Sequence, residues 1–559
     1  MHGASGHGAA RTTAPYLDAL IRALQSPSAY AHRAGDVEVI HTHASVVFLA
    51  GDFAYKVKKP VDLGFLDFTT LERRRHFCHE EVRLNRRLAR DVYLGVVPIT
   101  AREERHPSEG AGGSPRALRV GGEGAVVEYA VKMRRLPAHA TMLELVRRGR
   151  LTHRMTERVA ERIARFHDAA GRGPEVSAFG SWRTVARNAL ENLRQTRSHV
   201  GRTVSPEVFE RASRLTRDAL RRYRPTIEAR CLRGVPRDTH GDLHLDHVYF
   251  LPDRSPPDDL VVIDCIEFNR RFRFADPIAD IAFLAMDLTF RDRRDAARAL
   301  LEGYFRVRRD QEGEDLVAFY ISYRSLVRAK VRGLTAGDAS VPLRARRDAV
   351  HEARGHWLLA LGELETAGRR PGLVLVGGLP GSGKSTLASG LAKEAGFVVV
   401  ASDRVRKRLA GLDELAPATA SFGEGLYTES WTRRTYAACF REAARHLCLG
   451  RRVVVDATFR EELWRERFLD LARRLGVRHV LLRCSAEPDV IRRRMERRRP
   501  GPSDADWEIH LAAAGRWETL SERAAERTRN VDVGGTPSQS VARALEELSR
   551  IGLAGATAG

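Results

Sequence analysis

The chain has 559 residues, of which 43% are hydrophobic, and this length predicts three or four folding units rather than one. No run of about 18 apolar residues occurs, and residues 1–14 lack an apolar core, so neither a membrane span nor a signal peptide is expected. The six cysteines are scattered without a CxxC pair, which argues against a disulfide framework or a cysteine-based zinc site and favours a cytoplasmic location.

The net charge of +22 first suggests a nucleic-acid partner. Only eight of the 94 basic residues are lysines, and the arginines are spread along the whole chain, often beside acids. This pattern favours solvated helix faces over a polyanion-binding surface. A nucleic-acid partner is therefore possible but not favoured, and no obligate protein partner is evident.

Strand-like and helix-like segments alternate, which predicts a multidomain protein of the α/β and α+β classes. Hydrophobic periodicity and turn residues assign the segments. In chain order, they predict a hairpin from Val46–Leu49 and Ala54–Val57, a helix over Thr70–Arg90, a hairpin excursion or disordered loop over 101–124, a strand over Val126–Met133, helices over Met142–Tyr223, a strand-rich stretch over Val248–Phe268, and helices up to Leu364.

A Gly/Pro/Arg linker at 367–372 precedes a motif for phosphate binding. The strand Leu373–Gly377 runs into a G-x-x-x-x-G-K-S loop and then a helix, so that backbone N–H groups can surround phosphate oxygens. Lys384 can reach the outer phosphates, and the Ser385 hydroxyl can bind Mg²⁺. The predicted nucleotide-binding residues are Gly378, Leu379, Pro380, Gly381, Ser382, Gly383, Lys384, Ser385 and Thr386.

Acidic residues follow the next two predicted strands, Phe397–Ala401 and Arg452–Val455. Asp403 can accept the proton of an attacking hydroxyl, or it can simply cap the following helix, which also carries Arg406. Asp456 can help Ser385 to hold Mg²⁺. After a fourth strand, Val480–Arg483, an arginine-rich helix over Asp489–Arg499 is a candidate lid over the phosphates.

These motifs resemble those of the small P-loop kinases, including gluconate-kinase-like, zeta-toxin-like and polynucleotide-kinase-like enzymes. The resemblance covers about residues 372–550 and rests on the loop, on Ser-Asp403-x-x-Arg406, and on Arg494-x-x-Arg497. It implies that Asp403 contacts the phosphoryl acceptor and that Arg494 or Arg497 contacts nucleotide phosphates. Either arginine could instead be a solvated or ion-paired surface residue.

A second set of acids lies earlier in the chain, in His-Gly-Asp242-Leu-His-Leu-Asp-His247 and in Ile-Asp264-Cys-Ile-Glu267. Two acids on neighbouring strands can divide the chemistry of phosphoryl transfer, one taking the acceptor's proton and the other holding a metal ion. The spacing alone does not decide which acid does which.

These motifs, with Ala-Asp276-Pro-x-x-Asp280, resemble the aminoglycoside phosphotransferases and their choline-kinase-like relatives. The resemblance implies that Asp242 is the catalytic base, that Asp264 binds Mg²⁺, and that Asp276 and Asp280 buttress the site. His247 stands where this family has a metal-binding Asn. Because Mg²⁺ prefers oxygen ligands, another divalent ion such as Mn²⁺ is an alternative at this site.

The same resemblance selects Lys56, in Tyr-Lys56-Val-Lys-Lys, and Glu81 as the strand lysine and helix glutamate that hold ATP phosphates. It also implies a hinge between lobes at Glu128–Leu136. The alternative for the lysine cluster is a charged edge strand that prevents aggregation.

The whole chain resembles bacterial fusion proteins described as bifunctional aminoglycoside phosphotransferase/ATP-binding proteins. This resemblance implies a bilobal kinase-like module followed by a P-loop module with a parallel sheet. The predicted order is a flexible tail at 1–15, an N-lobe at 16–135, a helical C-lobe at 136–366, the linker at 367–372, a P-loop kinase domain at 373–552 and a flexible tail at 553–559.

Three functions fit the sequence. The favoured one is a phosphotransferase with two ATP sites that acts on hydroxyl groups of small molecules. A nucleotide sensor, in which an N-terminal pseudokinase regulates the P-loop half, is the first alternative, and polynucleotide-kinase-like end processing is the second. The sequence identifies neither acceptor, and fold similarity does not supply one.

Overall fold

The computed structural model describes residues 9–102, 117–413, 425–496 and 507–555. The chain forms two compact units. Unit 1 comprises residues 1–184, 226–285 and 295–314, and unit 2 comprises residues 185–225, 286–294 and 315–559. Among the described helices, none is long and apolar enough to cross a membrane.

Unit 1 contains a six-stranded antiparallel sheet in the order β1-β2-β3-β6-β4-β5. Its strands and the first two helices are α1 (Ala9–Leu24), β1 (Glu38–His41), β2 (Ser45–Ala50), β3 (Phe53–Lys58), α2 (Leu71–Asn85), β4 (Tyr93–Arg102), β5 (Ala117–Val120) and β6 (Ala125–Arg134). The predicted hairpin is β2–β3, with Phe48 opposite Tyr55. Within the predicted 101–124 excursion, the described residues 117–120 form strand β5.

Local chemistry sets the limits of the first helices. The Thr70 side chain accepts a hydrogen bond from the Arg73 N–H and caps α2. This helix ends at Asn85 rather than at Arg90, because the next residues turn back toward β4. The flexible tail predicted for 1–15 is wrong from Ala9 onward, where α1 begins.

The remaining elements up to residue 364 are mainly helical. They are α3 (Met142–Arg147), α4 (His153–Ala169), α5 (Pro174–Phe179), α6 (Trp182–Thr196), α7 (Pro206–Leu232), β7 (Arg237–Asp238), β8 (Val248–Phe250), β9 (Leu260–Val262), α8 (Arg270–Arg273), β10 (Phe274–Ala275), α9 (Pro277–Phe290), α10 (Arg294–Arg308), α11 (Gln311–Gly337) and α12 (Leu343–Leu364). The predicted strand-rich stretch over 248–268 therefore contains only the short pair β8–β9, and the acids of interest lie on the loops beside it.

Unit 2 contains a five-stranded parallel sheet in the order β12-β13-β11-β14-β15. Its elements are β11 (Gly372–Gly377), α13 (Lys384–Ala395), β12 (Val398–Ala401), α14 (Ser402–Leu409), α15 (Glu429–Cys448), β13 (Arg452–Asp456), α16 (Glu462–Arg474), β14 (Arg478–Ser485), α17 (Pro488–Glu496), α18 (Trp507–Ala514), α19 (Glu522–Glu526), β15 (Thr528–Asp532) and α20 (Pro537–Arg550). The central strands are buried on both faces, as a covered parallel sheet requires.

The core of unit 2 extends on both sides of the predicted linker. Trp357 and Leu361 of α12 belong to the same buried cluster as Leu373 and Val453 of the sheet. The compact units therefore divide the chain elsewhere than at 367–372, because apolar burial joins α12 to the sheet that follows it. The flexible tail predicted from 553 is also wrong at its first residue, since Leu553 is fully buried in the other core cluster of the sheet.

Candidate functional site

In unit 1, strand β3 carries two lysines on one face, because alternate residues of a strand point to the same side. The Lys56 ammonium lies 2.8 Å from Glu81 Oε1 and 2.5 Å from Asp264 Oδ1. The Lys58 ammonium lies 2.7 Å from Glu81 Oε2 and also contacts Glu267 Oε1. Two lysines of one strand thus join a carboxylate of α2 to two carboxylates of the loop after β9.

Burial and charge oppose each other in this cluster. Burial alone would lower the pKa of Lys56, but Asp264 and Glu81 outweigh it and hold that pKa well above its ordinary value. Burial would raise the pKa of Glu81, and the two lysines outweigh it, so that pKa lies below its ordinary value. Both side chains are therefore charged at neutral pH.

Asp280 of α9 fixes the start of the loop at 240–247 through two backbone hydrogen bonds. One carboxylate oxygen accepts the His240 N–H and the other accepts the Gly241 N–H, each at 2.9 Å. Gly241 has a φ of +86°, and a Cβ there would lie 3.0 Å from the Phe272 carbonyl oxygen. Only glycine fits this position without strain, so the loop is fixed both by its backbone and by Asp280.

Within this loop, His247 lies between the two acids that the sequence singles out. Its Nδ1 donates to the Asp242 carbonyl at 2.9 Å, and its Nε2 lies 3.5 Å from Asp264 Oδ2. Burial, assisted by the neighbouring His244, lowers the pKa of His247 to about 4. The ring is consequently neutral at physiological pH.

Asp264 has an unusual backbone conformation. Its φ is +64°, a left-handed geometry that is costly for a residue with a side chain. Its N–H donates to the Tyr93 hydroxyl at 3.1 Å, and the next N–H, of Cys265, donates to Asn85 Oδ1 at 2.8 Å. These contacts from α2 and β4 stabilise the turn that points the carboxylate at Lys56 and His247.

The predicted buttress Asp276 pairs with Arg230 rather than with the loop. Arg230 is 2.7 Å from Asp276 Oδ2 and 2.5 Å from Asp310 Oδ1, so one guanidinium joins two carboxylates. Glu128, at the start of the predicted hinge, is buried and accepts from Arg74 at 2.8 Å. Both arrangements are internal ion pairs.

A cavity of about 540 Å³ opens beside the loop. It is lined by both acidic and basic side chains, and Glu144 pairs with Arg147 at 2.7 Å. The lining residues are Ala138, His139, Thr141, Leu143, Glu144, Arg147, Arg148, Asp246 and Tyr249. Its mixed charge does not favour a strongly cationic ligand.

In unit 2, the carboxyl ends of β11, β12 and β13 meet at one edge of the sheet, where Asp456 pairs in register with Val376 and Ala401. The loop from Gly378 to Gly383 leads into α13 at Lys384, whose ammonium donates to the Leu379 carbonyl at 2.8 Å. Burial raises the pKa of Asp456, and a hydrogen bond from Ser385 opposes this rise. Ser385 and Asp456 therefore lie close to each other.

The loop is packed closely by later segments. Gly381 has a φ of +79°, and a Cβ there would lie 2.9 Å from the Met495 side chain of α17. His510 of α18 donates to the Pro380 carbonyl at 2.7 Å. Ser382 is buried, and its hydroxyl has no hydrogen-bond partner among the described residues. Thr386 lies on the first turn of α13.

The other predicted residues of unit 2 differ in their surroundings. Asp403, in the first turn of α14, pairs with Arg406 at 2.8 Å, and the Arg406 guanidinium lies 4.7 Å from the centre of the Tyr427 ring. Arg494 donates to the Gly535 carbonyl at 3.0 Å and lies next to Gly383. Arg497 lies outside the described residues.

Sequence reasoning missed several residues of the unit 1 site, namely Lys58, Tyr93, Asn85 and the role of Glu267. The sequence does carry a signal for Lys58, because residues two apart on a strand share a face and Lys58 lies two residues after Lys56. Tyr93 and Asn85 carry no such signal, since only the folded chain brings them to the loop at 264–265.

Two family models match the chain. The model described as "APH: Phosphotransferase enzyme family" matches residues 70–319, and the model described as "AAA_33: AAA domain" matches residues 373–517. The first range contains Glu81, Asp242 and Asp264, and the second contains the glycine-rich loop with Asp403 and Asp456. The kinase-like and P-loop classes expected from sequence are thus confirmed.

Mycobacterial proteins match over nearly the whole chain. The Mycobacterium tuberculosis protein described as "Uncharacterized protein Rv2004c" is 34% identical over 511 residues, covering 91% of this chain and 94% of its own length. The Mycobacterium bovis protein described as "Uncharacterized protein Mb2027c" matches to the same extent. The similarity therefore extends over both ranges that the family models match.

Solved structures match about a third of the chain. A gluconokinase from Sinorhizobium meliloti is 24% identical, with a TM-score of 0.25, and the match covers 33% of this chain and 95% of that one. A shikimate kinase from Bacteroides thetaiotaomicron is 17% identical, with a TM-score of 0.24, covering 32% and 98%. Matches at this level do not identify an acceptor.

Proposed function

The chain belongs to the family in which an aminoglycoside-phosphotransferase-like kinase domain is fused to a P-loop kinase domain, and we propose that it transfers the γ-phosphate of ATP at two separate sites. A phosphotransferase activity follows from the two families. The proposal adds that each unit is active and that both acceptors are hydroxyl groups of small molecules. The observation that carries it is the ion pair between Lys56 and the buried Glu81 beside Asp264, which would supply unit 1 with a phosphate-binding cation of its own.

At the unit 1 site, Lys56 would exchange its contact with Asp264 for the phosphates of ATP while Glu81 keeps it in place. The carboxylate of Asp242 would accept the proton of the attacking hydroxyl, since Asp280 fixes the backbone of the loop that carries it. Preorganised charges of this kind lower the transition-state energy without further rearrangement. The His247 nitrogen does not suit the Mg²⁺ that the family implies, so no step of this mechanism depends on that ion.

At the unit 2 site, backbone N–H groups of the 378–383 loop and the N-terminus of α13 would surround the phosphates. Lys384 would exchange the Leu379 carbonyl for phosphate oxygens. The neighbouring oxygens of Ser385 and Asp456 would suit Mg²⁺, which would neutralise charge on the β- and γ-phosphates. Asp403 would accept the acceptor's proton, and Arg406 would hold that carboxylate in place.

The cavity beside Asp246 is the best candidate for the acceptor of unit 1. Its volume suits a small molecule, and its two acids are matched by two arginines. Aminoglycosides are polycations that need a net negative pocket, so a neutral or anionic hydroxyl compound fits this lining better.

One observation favours a second function, that of a nucleotide sensor. His247 replaces the metal-binding Asn of the family, and a unit that binds ATP without transferring phosphate would regulate the unit 2 site. In that case only unit 2 would consume ATP.

The two functions are separated by measuring phosphoryl transfer to a panel of sugars, polyols, hydroxy acids and aminoglycosides. We would compare the wild type with Lys384→Ala and Asp242→Asn. Each variant is expected to lose a distinct acceptor-dependent activity by about 100-fold or more, because each lacks one group that acts in the transition state. The exposed neighbours Lys393 and Asp253 supply the controls Lys393→Ala and Asp253→Asn, which should retain both activities.

If Lys384→Ala abolishes all transfer while Asp242→Asn changes none, unit 1 does not transfer phosphate, and the sensor reading is the better one. The number of nucleotides bound per chain then separates a sensor from a relic, that is, a unit 1 that no longer binds nucleotide. A sensor binds two nucleotides per chain, whereas a relic binds one.

A further inference from the structure

Three arginines from separate elements of unit 1 come together beside strand β7. Arg237 lies on β7, and the next N–H of this strand donates to the Gly171 carbonyl at 2.8 Å, which places Arg172 alongside the strand. Arg308 is the last residue of α10, and its Nη1 donates to Asp168 at 2.6 Å, just before Gly171 in the chain. The end of α4 with the segment after it, the strand β7 and the end of α10 therefore form one small basic cluster.

The three arginines carry more positive charge than the folded chain neutralises. Burial lowers the pKa of Arg237, and repulsion from Arg308 and Arg172 lowers it further. The Arg237 guanidinium nevertheless stays charged at neutral pH, because arginine does not lose its proton in proteins. Neither Arg237 nor Arg172 forms an ion pair with any residue that the structure describes. The nearby carboxylate of Asp276 is already paired with Arg230, so the excess charge of the cluster remains available to an anion.

Two of these guanidiniums each have one edge that no protein atom satisfies. Nη1 of Arg237 donates to the carbonyls of residues 234–236, at 2.6, 2.8 and 3.0 Å, and Nη1 of Arg308 pairs with Asp168. The Nε atoms of both arginines are buried and, like their Nη2 atoms, have no hydrogen-bond partner within the described part of the chain. Nε and Nη2 together form the edge of a guanidinium that binds two oxygens of one anion side by side. Since a buried donor without an acceptor is unfavourable, an acceptor from outside the chain would stabilise both edges.

Two unsatisfied edges favour a tetrahedral oxyanion over a carboxylate. A carboxylate has only two oxygens and satisfies a single guanidinium edge. A phosphate group presents more oxygens, so it can pair with the edges of both Arg237 and Arg308, and its charge of about −1.5 to −2 at neutral pH offsets the excess positive charge. The exposed Arg172 would contact the same anion from the solvent side.

We propose that Arg172, Arg237 and Arg308 form a binding site for the phosphate group of a small molecule. The site shares no residue with either proposed nucleotide site. It therefore goes beyond the proposed phosphotransferase function and does not depend on it. Strand β7 leads directly into the loop at 240–247, so a bound phosphate would also anchor the segment that precedes this loop.

The test measures binding of radiolabelled inorganic phosphate to the full chain by equilibrium dialysis, with an excess of a non-hydrolysable ATP analogue to fill the nucleotide sites. We expect one phosphate per chain, and binding weaker by roughly tenfold or more in Arg237→Lys/Arg308→Lys, because lysine keeps the charge but lacks the paired donors of a guanidinium edge. Arg298→Lys is the matched control. Arg298 is exposed on the same helix as Arg308, so this variant should bind phosphate like the wild type.

The lysine variants also separate a specific site from general attraction of anions. The net charge of +22 attracts anions without any site, and these variants leave that charge unchanged. Equal phosphate affinity in the wild type and in Arg237→Lys/Arg308→Lys would therefore overturn the proposal. Competition identifies the source of the phosphate group. A sugar phosphate that displaces the label at lower concentration than inorganic phosphate indicates a phosphomonoester, and the reverse order indicates free phosphate.

Thermal unfolding provides a second readout that does not depend on activity. A ligand that binds only the folded chain raises the midpoint of unfolding, so phosphate should raise it in the wild type and in Arg298→Lys. The rise should be smaller in Arg237→Lys/Arg308→Lys, and a rise of equal size would count against the site. The midpoint without phosphate verifies that each variant has folded. If the double variant does not fold, Arg308→Lys alone takes its place with the same expectation.

Discussion

The two candidate nucleotide sites would bind phosphate through different kinds of groups. In unit 1, the proposed phosphate-binding cation is the Lys56 side chain, which is held by carboxylates from distant parts of the sequence. Its partner Asp264 is 208 residues away. In unit 2, most of the groups lie on one continuous loop, and its backbone N–H groups would contact the ligand. The unit 1 site thus depends on charged side chains that the tertiary structure brings together, whereas the unit 2 site depends on backbone N–H groups that one loop orients.

This difference predicts different vulnerabilities. Buried ion pairs are costly to break, because removing one partner leaves the other charged and desolvated. A loop that binds through its backbone depends instead on the conformation of a few glycines and on the segments packed against them. The stability of the unit 1 site should therefore depend on its charged groups and on pH. Ligand binding at the unit 2 site should depend on backbone conformation and on the packing around the loop.

The largest expected effect is on stability, in Lys58→Met. Lys58 is 1% exposed and is shared by Glu81 and Glu267, so its loss leaves a buried carboxylate without a cation. We expect the free energy of unfolding to fall by about 3–5 kcal/mol. Urea denaturation will measure the fall in the free energy of unfolding, and hydrogen exchange of backbone amides will show whether it occurs in unit 1.

Two other lysines serve as controls for this prediction. Lys59, the next residue, donates to the Thr42 carbonyl on the surface, and Lys384 donates to the Leu379 carbonyl. Both Lys59→Met and Lys384→Met should change stability by less than about 1 kcal/mol. If Lys384→Met destabilises the chain as much as Lys58→Met, the contrast between the two sites is wrong.

The next largest effect is on how far the free energy of unfolding falls as the pH is lowered. Burial would raise the pKa of Asp310, but the hydrogen bond from Arg230 outweighs it and leaves that pKa below its ordinary value of 3.8. A carboxylate with a lowered pKa stabilises the fold above its ordinary pKa, and this contribution is lost as the pH falls through the folded-state value. Unit 1 should therefore lose stability below about pH 4, as Glu81 also predicts.

Asp310→Asn tests this pH dependence directly. At pH 7 the variant should be less stable by about 1.5–3 kcal/mol, because a charge-assisted pair is lost, and its acid limb should be shallower. Unfolding monitored from pH 7 to pH 3 measures both. An acid limb as steep as that of the wild type would exclude the Arg230–Asp310 pair as its source.

The smallest effect concerns shape. Gly381→Ala would place a methyl group against Met495 at a left-handed φ, and we expect ATP to bind about tenfold more weakly at the unit 2 loop. Gly396→Ala, at the end of α13, is the matched control, because its φ is +67° but nothing lies within 4 Å. It should lose stability without losing affinity. Equal affinity in Gly381→Ala and the wild type would show that the loop tolerates the contact.

The same contrast explains what the sequence could predict. The loop from Gly378 to Ser385 is a contiguous pattern, so the sequence alone predicts strand, loop and helix. The Lys56–Glu81 pairing was expected only through family resemblance. Tyr93, Asn85 and Lys58 were missed, because their partners are brought to them by the fold and no local pattern marks them.

The errors in domain limits have a related cause. The Gly/Pro/Arg composition at 367–372 predicts a linker, but composition does not show that Trp357 and Leu373 share a core. Likewise, Leu553 lies in a stretch of small residues that reads as a tail, although it is buried against Gly372. The identity of buried neighbours is a property of the folded chain.

One contact constrains how the unit 2 sheet can form during synthesis. The Arg452 guanidinium donates to the carbonyls of Gly368, Ala395 and Leu553, so that one side chain of β13 joins segments from both ends of the unit. Leu553 also fills the space in front of Gly372, at the start of β11. A nascent chain that has emerged only as far as β14 lacks the contacts that Leu553 makes with Arg452 and with the start of β11. The central strands therefore remain partly uncovered until residues up to Leu553 have left the ribosome, and this interval is when the module is most in need of a chaperone.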